Sequence, residues 1–339
     1  MHDMPLEKPM RYPIIYHPLL SPTWKDFGIL IPLSGKRSEK VFQSLNELGN
    51  NIKELDLKLL TKISKAELTL AHDELFIENL YSKKLFKEFT DCFELIDENG
   101  NFNRYDPDNA IKDLSEFMDE ILFHVAGTCY AIDQSLKEGF CYFLGGGMHH
   151  ARKDKGAGFC ILNDIVLGIK RAQDQKKIKS CWVIDVDAHK GDGTAHMTVD
   201  DASILTLSLH MEKGWPLDHP DPNHPSKVPS TIDIEINSKN CKNYNKLLSE
   251  GLEKLLVLQG KTPDLMIINN GADPYEHDEL PSTSLLKLSK EELLERDQIL
   301  FNFAKLKNIP QTWVMSGGYG ERSYEIYVQF LDWVLKSNS

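Results

Sequence analysis

Trp182-Val183-Ile184-Asp185-Val186-Asp187-Ala188-His189-Lys190-Gly191-Asp192-Gly193 decides the fold. It opens as an apolar run of strand length and closes in carboxylates and a histidine. Asp185, Asp187 and His189 recur at alternate positions, so on an extended chain their side chains share one face. A strand that ends this way offers hard oxygen donors and an imidazole to one point, as a divalent metal requires.

Outward from this strand the pattern repeats. The expected strands are Phe140–Leu144, Cys181–Val186, Ile204–Leu209, Ile232–Ile236, Leu265–Asn269 and Thr312–Met315. The expected helices cover about 161–175, 241–259, 290–306 and 321–336, with Ser289 and Glu292 capping the third. Continuous apolar strands alternating with helices give an α/β fold, a mostly parallel sheet flanked by helices on both faces. Residues 1–37 are rich in proline and aromatics, with Ile14-Ile15-Tyr16 as a first strand. Residues 38–138 read as helical. Ser64 and Glu67 form a capping box before a periodic run to about Tyr81, and Ile111, Leu114, Met118, Ile121, Leu122, Val125, Cys129 and Ile132 mark one long amphipathic helix ended by Gly139. Residues 1–339 are expected to form a single domain, with the motifs confined to about 140–320.

The bulk numbers exclude some classes. Hydrophobic residues make up 41% of the chain, enough for a sizeable core, and the net charge of −12 lacks the basic footprint that nucleic-acid binding needs. No run approaches the ~18 apolar residues of a membrane span. The start, Met1 to Pro9, has no apolar signal core, and neither end carries a lipidation motif. Six cysteines (92, 129, 141, 160, 181 and 241) are scattered without a C-x-x-C, which fits a reducing compartment. The expectation is a cytoplasmic protein. Nothing in the sequence sets its oligomeric state.

Four strands run into chemistry. The first leads to Gly145-Gly146-Gly147-Met148-His149-His150, the second to Asp187-Ala188-His189-Lys190-Gly191-Asp192, another to Gly271-Ala272-Asp273, and the last to Ser316-Gly317-Gly318-Tyr319. In a parallel sheet these ends gather on one side. Asp187, His189 and Asp273 make a three-ligand set with an open position, the pattern of a catalytic zinc site, and a site with two carboxylates also admits Fe(II). A metal held there would lower the pKa of bound water and polarise a carbonyl. His149 and His150 suit a general base and acid, with Asp185 and Asp192 available to orient them. Tyr319 offers a neutral donor to a developing oxyanion. The sum is metal-assisted hydrolysis of an amide or ester. His219 and His224, in the Pro/Asp-rich loop 211–230, read as solvated, and His17, His72, His124, His196 and His277 as structural or surface residues.

These residues resemble the histone deacetylase superfamily, of the arginase–deacetylase fold. The shared motifs are Gly-Gly-Gly-Met-His149-His150-Ala151, Gly158-Phe159-Cys160-x-x-Asn163-Asp164, Asp185-x-Asp187-x-His189-x-Gly191-Asp192-Gly193, Ser208-Leu209-His210, Gly271-Ala272-Asp273 and Gly317-Gly318-Tyr319, in the family's order. The resemblance implies zinc on Asp187, His189 and Asp273. It pairs His150 with Asp192 as the main acid/base and His149 with Asp185 as an electrostatic partner, and gives Tyr319 the oxyanion. It implies a tunnel for an acyl-lysine stem, with Phe159 on one wall, Trp215 taken for the other, and Gly158 and Gly317 lining it through backbone. It also implies a potassium ion on Asp185, Ser208 and the carbonyls of Asp187, His189 and Leu209.

The chain departs from the family at Lys190, at the short glycine run before Tyr319 and at Pro274-Tyr275. The position where polyamine deacetylases of the family carry an acidic gatekeeper falls on Leu280, which favours acyl-lysine in a protein or peptide, although Glu279 is adjacent. Other readings stay open. They are an acetylpolyamine or other small-molecule deacetylase, an arginase-like binuclear manganese ureohydrolase, and a non-catalytic scaffold. Pro274 breaks the second Asp-x-Asp that the manganese enzyme needs.

Overall fold

Every residue of Cys181–Asp185 is buried, as expected of an apolar run without polar alternation. The computed structural model describes residues 12–20, 24–31 and 36–337; the start read for a targeting signal lies outside them. Among the described residues, strands β1 (Ile14–Ile15), β2 (Phe140–Phe143), β3 (Cys181–Asp185), β4 (Ile204–Met211), β5 (Ile232–Ile236), β6 (Leu265–Asn270) and β7 (Gln311–Met315) form one sheet in the order β1-β2-β7-β6-β3-β4-β5. All its pairings are parallel. This is the α/β fold of the arginase–deacetylase type. The helices are α1 (Arg37–Glu47), α2 (Lys65–Leu68), α3 (Glu74–Leu80), α4 (Leu85–Phe93), α5 (Phe117–Glu138), α6 (Asp164–Asp174), α7 (Asp192–Thr198), α8 (Tyr244–Gln259), α9 (Lys290–Leu306) and α10 (Tyr324–Ser337). No helix among the described residues is long and apolar enough to cross a membrane.

The sheet core joins Trp182, Trp313, Phe140, Phe301 and Phe330, while Phe76, Phe89, Phe93 and Phe117 build a second apolar cluster; α6 serves both, with Ile165 and Ile169 in the first and Val166 and Leu167 in the second. The helical region departs from the sequence reading in two places. The run from Ser64 to Tyr81 breaks into α2 and α3, and the buried His72 lies in the break. The long helix begins at Phe117, not at Ile111. Asp113 accepts from Ser115 N and Glu116 reaches back to Asp113 N, a capping box that starts the chain's turn there. Its end at Gly139, in the left-handed conformation, is as read.

One buried arginine braces the sheet under the chemical strand ends. Arg296 of α9 is fully buried. It donates to the carbonyls of Val186 at 3.1 Å and Gly271 at 2.8 Å, and its Nε donates to Asp297 at 2.8 Å. Asn270 Nδ2 donates to the same Asp297 oxygen at 3.0 Å. The exits of β3 and β6 are thereby tied together. Arg296→Met leaves a buried carboxylate without its cation and two carbonyls without their donor, and is expected to cost roughly 3–5 kcal/mol. Urea unfolding checks this, and a loss below 1 kcal/mol would remove the brace from the account.

Candidate metal centre

The strand order reverses between β3 and β6: the chain runs outward from β3 through β4 to β5, then returns on the other side of β3. Loops leaving such a point part from each other and open a crevice beyond the strand ends. Asp187 and His189 follow β3, Asp273 follows β6, and all are buried, with one donor atom of each within 4.8 Å of the others. His189 Nδ1 stands 3.2 Å from Asp187 Oδ1 and 3.1 Å from Asp273 Oδ2.

The other carboxylate oxygens are anchored. Asp187 Oδ2 accepts from Ser316 Oγ at 2.9 Å and Gly317 N at 2.8 Å, and Asp273 Oδ1 accepts from Ala188 N at 2.9 Å. Gly317 is a steric necessity, since a Cβ there would fall 2.4 Å from Asp187 Oδ2. On the far side of the His189 ring, Nε2 meets Ser282 Oγ at 3.1 Å, which suits Nδ1 to act as the donor toward the shared point.

The electrostatics call for a cation. Burial raises the Asp273 carboxyl and the Asp187 charge adds to it, bringing it to about 7. Burial opposes ionisation of Asp187 too, but His149 and His189 hold it well below the usual carboxylate range. For His189 burial favours the neutral ring, yet hydrogen bonds to Asp187 and Asp273 lift it to about 10. A proton there occupies the centre that two oxygens and one imidazole nitrogen surround. This donor set fits a divalent ion such as zinc or Fe(II).

His149 and His150 lie beside it with ring centroids 3.9 Å apart. His149 Nδ1 pairs with Asp185 Oδ2 at 2.7 Å, and His150 Nδ1 pairs with Asp192 Oδ1 at 2.7 Å. The two rings ionise in opposite senses. Burial would lower His149, but the charges of Asp185 and Asp187 raise it to about 9. Burial and the neighbouring His149 charge lower His150 to about 4. Tyr319 remains a phenol, because burial and the charges of Asp187 and Asp273 push its pKa up. Its N–H donates to Asp278 Oδ2 at 2.7 Å, fixing the turn.

The family model described as Histone deacetylase domain matches residues 31–331. This chain belongs to the histone deacetylase family. It is similar to histone deacetylase 2 of Arabidopsis thaliana, 28% identical over 79% of this chain and 65% of that one. A probable deacetylase of Methanothermobacter thermautotrophicus is 27% identical over 57% of each chain, and histone deacetylase B of Dictyostelium discoideum is 32% identical over 52% of this chain and 41% of that one. The chain thus spans less than two thirds of the length of these relatives.

The remaining residues expected from the histone deacetylase motifs are distributed unevenly. Phe159, at φ 66°, stacks on Phe93 with centroids 6.2 Å apart, and the Arg104 guanidinium carbon lies 5.3 Å from its centroid on the other ring contact. Trp215 sits 4.4 Å from the His150 ring, and a Cβ on Gly158 would fall 2.2 Å from its Cη2. It therefore packs on Gly158 and His150. Leu280 is half-buried in the lip, and the exposed Glu279 turns its carboxylate to the N–H of Glu321 at 3.1 Å. A cavity of about 130 Å³ adjoins His149, His150 and Tyr319 and continues to Phe93, Phe117 and Ile121. Asp185 and Ser208 are neighbours in register across β3 and β4, and Ser208 Oγ meets His210 Nδ1 at 2.9 Å. Leu209 is the next residue of β4.

Sequence reasoning missed several residues around the centre. Asn269 donates to Asp185 Oδ1 at 3.0 Å, and Ser282 meets His189. His72, read as structural or surface, is a buried bridge: Nδ1 donates to the Arg152 carbonyl at 2.9 Å and Nε2 accepts from Asn163 N at 3.0 Å. His224 is half-buried, its ring stacked on His219 and its Nε2 3.5 Å from Arg152 Nη1, so loop 211–230 reaches inward. Of these, Asn269 within β6 and the Arg after the His pair lay beside motifs already singled out; His72 and Ser282 had no local signal.

The His72 bridge sets a pH dependence. Burial lowers this ring from 6.5 to about 4, against hydrogen bonds that would raise it. Its folded value lies below its unfolded one, so the unfolded state binds the proton first. The stability it supplies is complete above pH 6.5 and is lost as pH falls toward 4. At ~1.4 kcal/mol per unit this amounts to roughly 3 kcal/mol. His72→Gln keeps a donor and an acceptor without the titration. Urea unfolding of both proteins is expected to show a shallower acid slope for the variant; equal slopes would reassign the dependence to other groups.

Proposed function

We propose that this chain is a zinc-dependent amidohydrolase that removes an acyl group, acetyl foremost, from the side-chain nitrogen of lysine in a protein or peptide. The observation that carries this reading is the convergence of Asp187, His189 and Asp273 on one point beside a histidine pair in which one ring is charged and the other neutral. The deacetylase names of the relatives support it.

Asp187, His189 and Asp273 would hold the ion, which supplies a Lewis acid that activates water and polarises the substrate carbonyl. His150 is the general base. Its Nδ1 proton is donated to Asp192, its ring is neutral, and Nε2 keeps a lone pair to take the proton of the attacking water. It then returns the proton to the departing amine as the C–N bond breaks. His149 keeps its charge between Asp185 and Asp187 and favours the negative charge developing on the carbonyl oxygen. Tyr319 donates a hydrogen bond to that oxygen. The products are a carboxylic acid and a free amine, which leave as carboxylate and ammonium once the second proton of the water has passed from the acid to the amine. Phe93, Phe117 and Ile121 in the adjoining cavity support acceptance of acyl chains longer than acetyl. Leu280 at the lip supports acyl-lysine over a polyamine, whose free ammonium an apolar side chain does not stabilise.

This reading includes a single domain over residues 1–339, supported by the packing of α5 on β2, β7 and α6. It includes a structural potassium ion on Asp185, Ser208 and the Leu209 carbonyl, and Trp215 and Phe159 beside the substrate stem. The free cysteines support a cytoplasmic location. The net charge of −12 supports the absence of a nucleic-acid partner.

Purified zinc-loaded protein is expected to deacetylate acetyl-lysine peptides in a panel with longer acyl-lysines, N-acetylpolyamines and small acetyl esters. Turnover confined to the polyamines would reassign the substrate, and two manganese ions per chain would reassign the chemistry. Tyr319→Phe should lower kcat by ~10²–10³ at unchanged zinc content. Asp187→Asn should lose both zinc and activity; a metal-free, active variant would remove the site as drawn.

A further inference from the structure

Arg152 is 3% exposed, two residues past His150. Its Nη2 donates to Asp192 Oδ2 at 3.0 Å, while the other oxygen of that carboxylate pairs with His150 Nδ1 at 2.7 Å. Asp192 is fully buried, and among the described residues it is the one carboxylate within ion-pair distance of this guanidinium. We propose that Arg152 is a positioning residue that holds Asp192 as an anion throughout the reaction and so fixes the tautomer of His150. The proposal rests on the reading of His150 as the general base.

The reason is charge balance. A buried carboxylate beside a neutral imidazole has no counter-charge, and burial raises its pKa toward protonation. A protonated Asp192 would donate to His150 Nδ1 and leave the ring proton on Nε2. That tautomer has no lone pair for the attacking water. A guanidinium stays charged at every working pH, so it prevents this exchange both before and after His150 takes its proton. The shift of Asp192 agrees: burial opposes its ionisation, yet His150 and Arg152 hold it below the usual carboxylate range.

The helical region and loop 211–230 both converge on this residue. From the helical region, His72 donates to the Arg152 carbonyl at 2.9 Å, and Asp73 N donates to the Lys153 carbonyl at 2.8 Å. From loop 211–230, His224 Nε2 lies 3.5 Å from Arg152 Nη1. The backbone N–H of Arg152 donates to the Lys155 carbonyl at 2.9 Å, which closes the turn that carries it.

Arg152→Met and Arg152→Lys separate charge from shape. The Met variant is expected to lose about 10- to 100-fold in kcat, the usual cost of removing a group that orients an acid/base residue or ligand, with KM within about twofold and zinc content unchanged. The Lys variant should recover most of the loss. Nitrogen-15 histidine NMR of the zinc-loaded proteins reads the tautomer directly, with His150→Ala assigning the signal. Wild type and Arg152→Lys should show protonated Nδ1, and Arg152→Met a population protonated at Nε2. If the Met variant keeps both kcat and the Nδ1-protonated ring, the proposal fails. It also fails if Lys rescues neither. If wild type turns over no acyl substrate while the tautomer still follows the charge at position 152, the functional reading falls and the positioning role stands.

Discussion

Asp185, Asp187, Asp192 and Asp273 are all buried near the carboxyl ends of two adjacent strands, and the rest of the site answers to that concentration of negative charge. Removing a carboxylate from water costs several kcal/mol unless cations and N–H donors replace the water. Each of the four has such replacements. His149 and Asn269 serve Asp185; His189, Ser316 and Gly317 serve Asp187; His150 and Arg152 serve Asp192; His189 and Ala188 N serve Asp273. One place is left where lone pairs converge without enough positive charge, and it lies at the switch in strand order.

The same charge pattern explains how two adjacent histidines differ. His149 faces Asp185 and Asp187 and is drawn toward the imidazolium. His150 is held neutral first by burial and then by the charged His149 beside it, and the one carboxylate it faces already has a guanidinium. The division of roles is set by the partners' count of charges, not by the histidines themselves.

How much of this was legible in the sequence varied with the range of the interaction. Strands read as continuous apolar runs fell within two residues of their observed ends, since every residue of β3, β6 and β7 is buried and the short unbroken apolar run itself marks them. The start of the helix from Lys290 was legible because Ser289 and Glu292 cap it locally. The run after Ser64 was not: its break is set by a bridge from His72 to residues about 80 positions away, and no local pattern encodes it. The motifs brought the metal-centre residues together on paper because they cluster at strand ends. Ser282 reaches His189 across 93 positions from the lip and left no trace in spacing. The loop position of Trp215 suits a tunnel wall, but its contact with Gly158 and His150 depends on how that loop folds back.

The order β2-β7-β6-β3 has a consequence for how the protein comes into being. β2 and β3 are synthesised early but stand two strand-widths apart, and the gap between them is filled by β6 and by β7, which ends at Met315. Until β6 and β7 are made, the inner edges of β2 and β3 have no strand to pair with. Edges of this kind pair readily with other chains, and non-local parallel pairing is slow. The middle of the sheet is the last part to be made. Asp187 and His189 wait near the centre of the chain for Asp273 and Tyr319, so the site closes only when the sheet does.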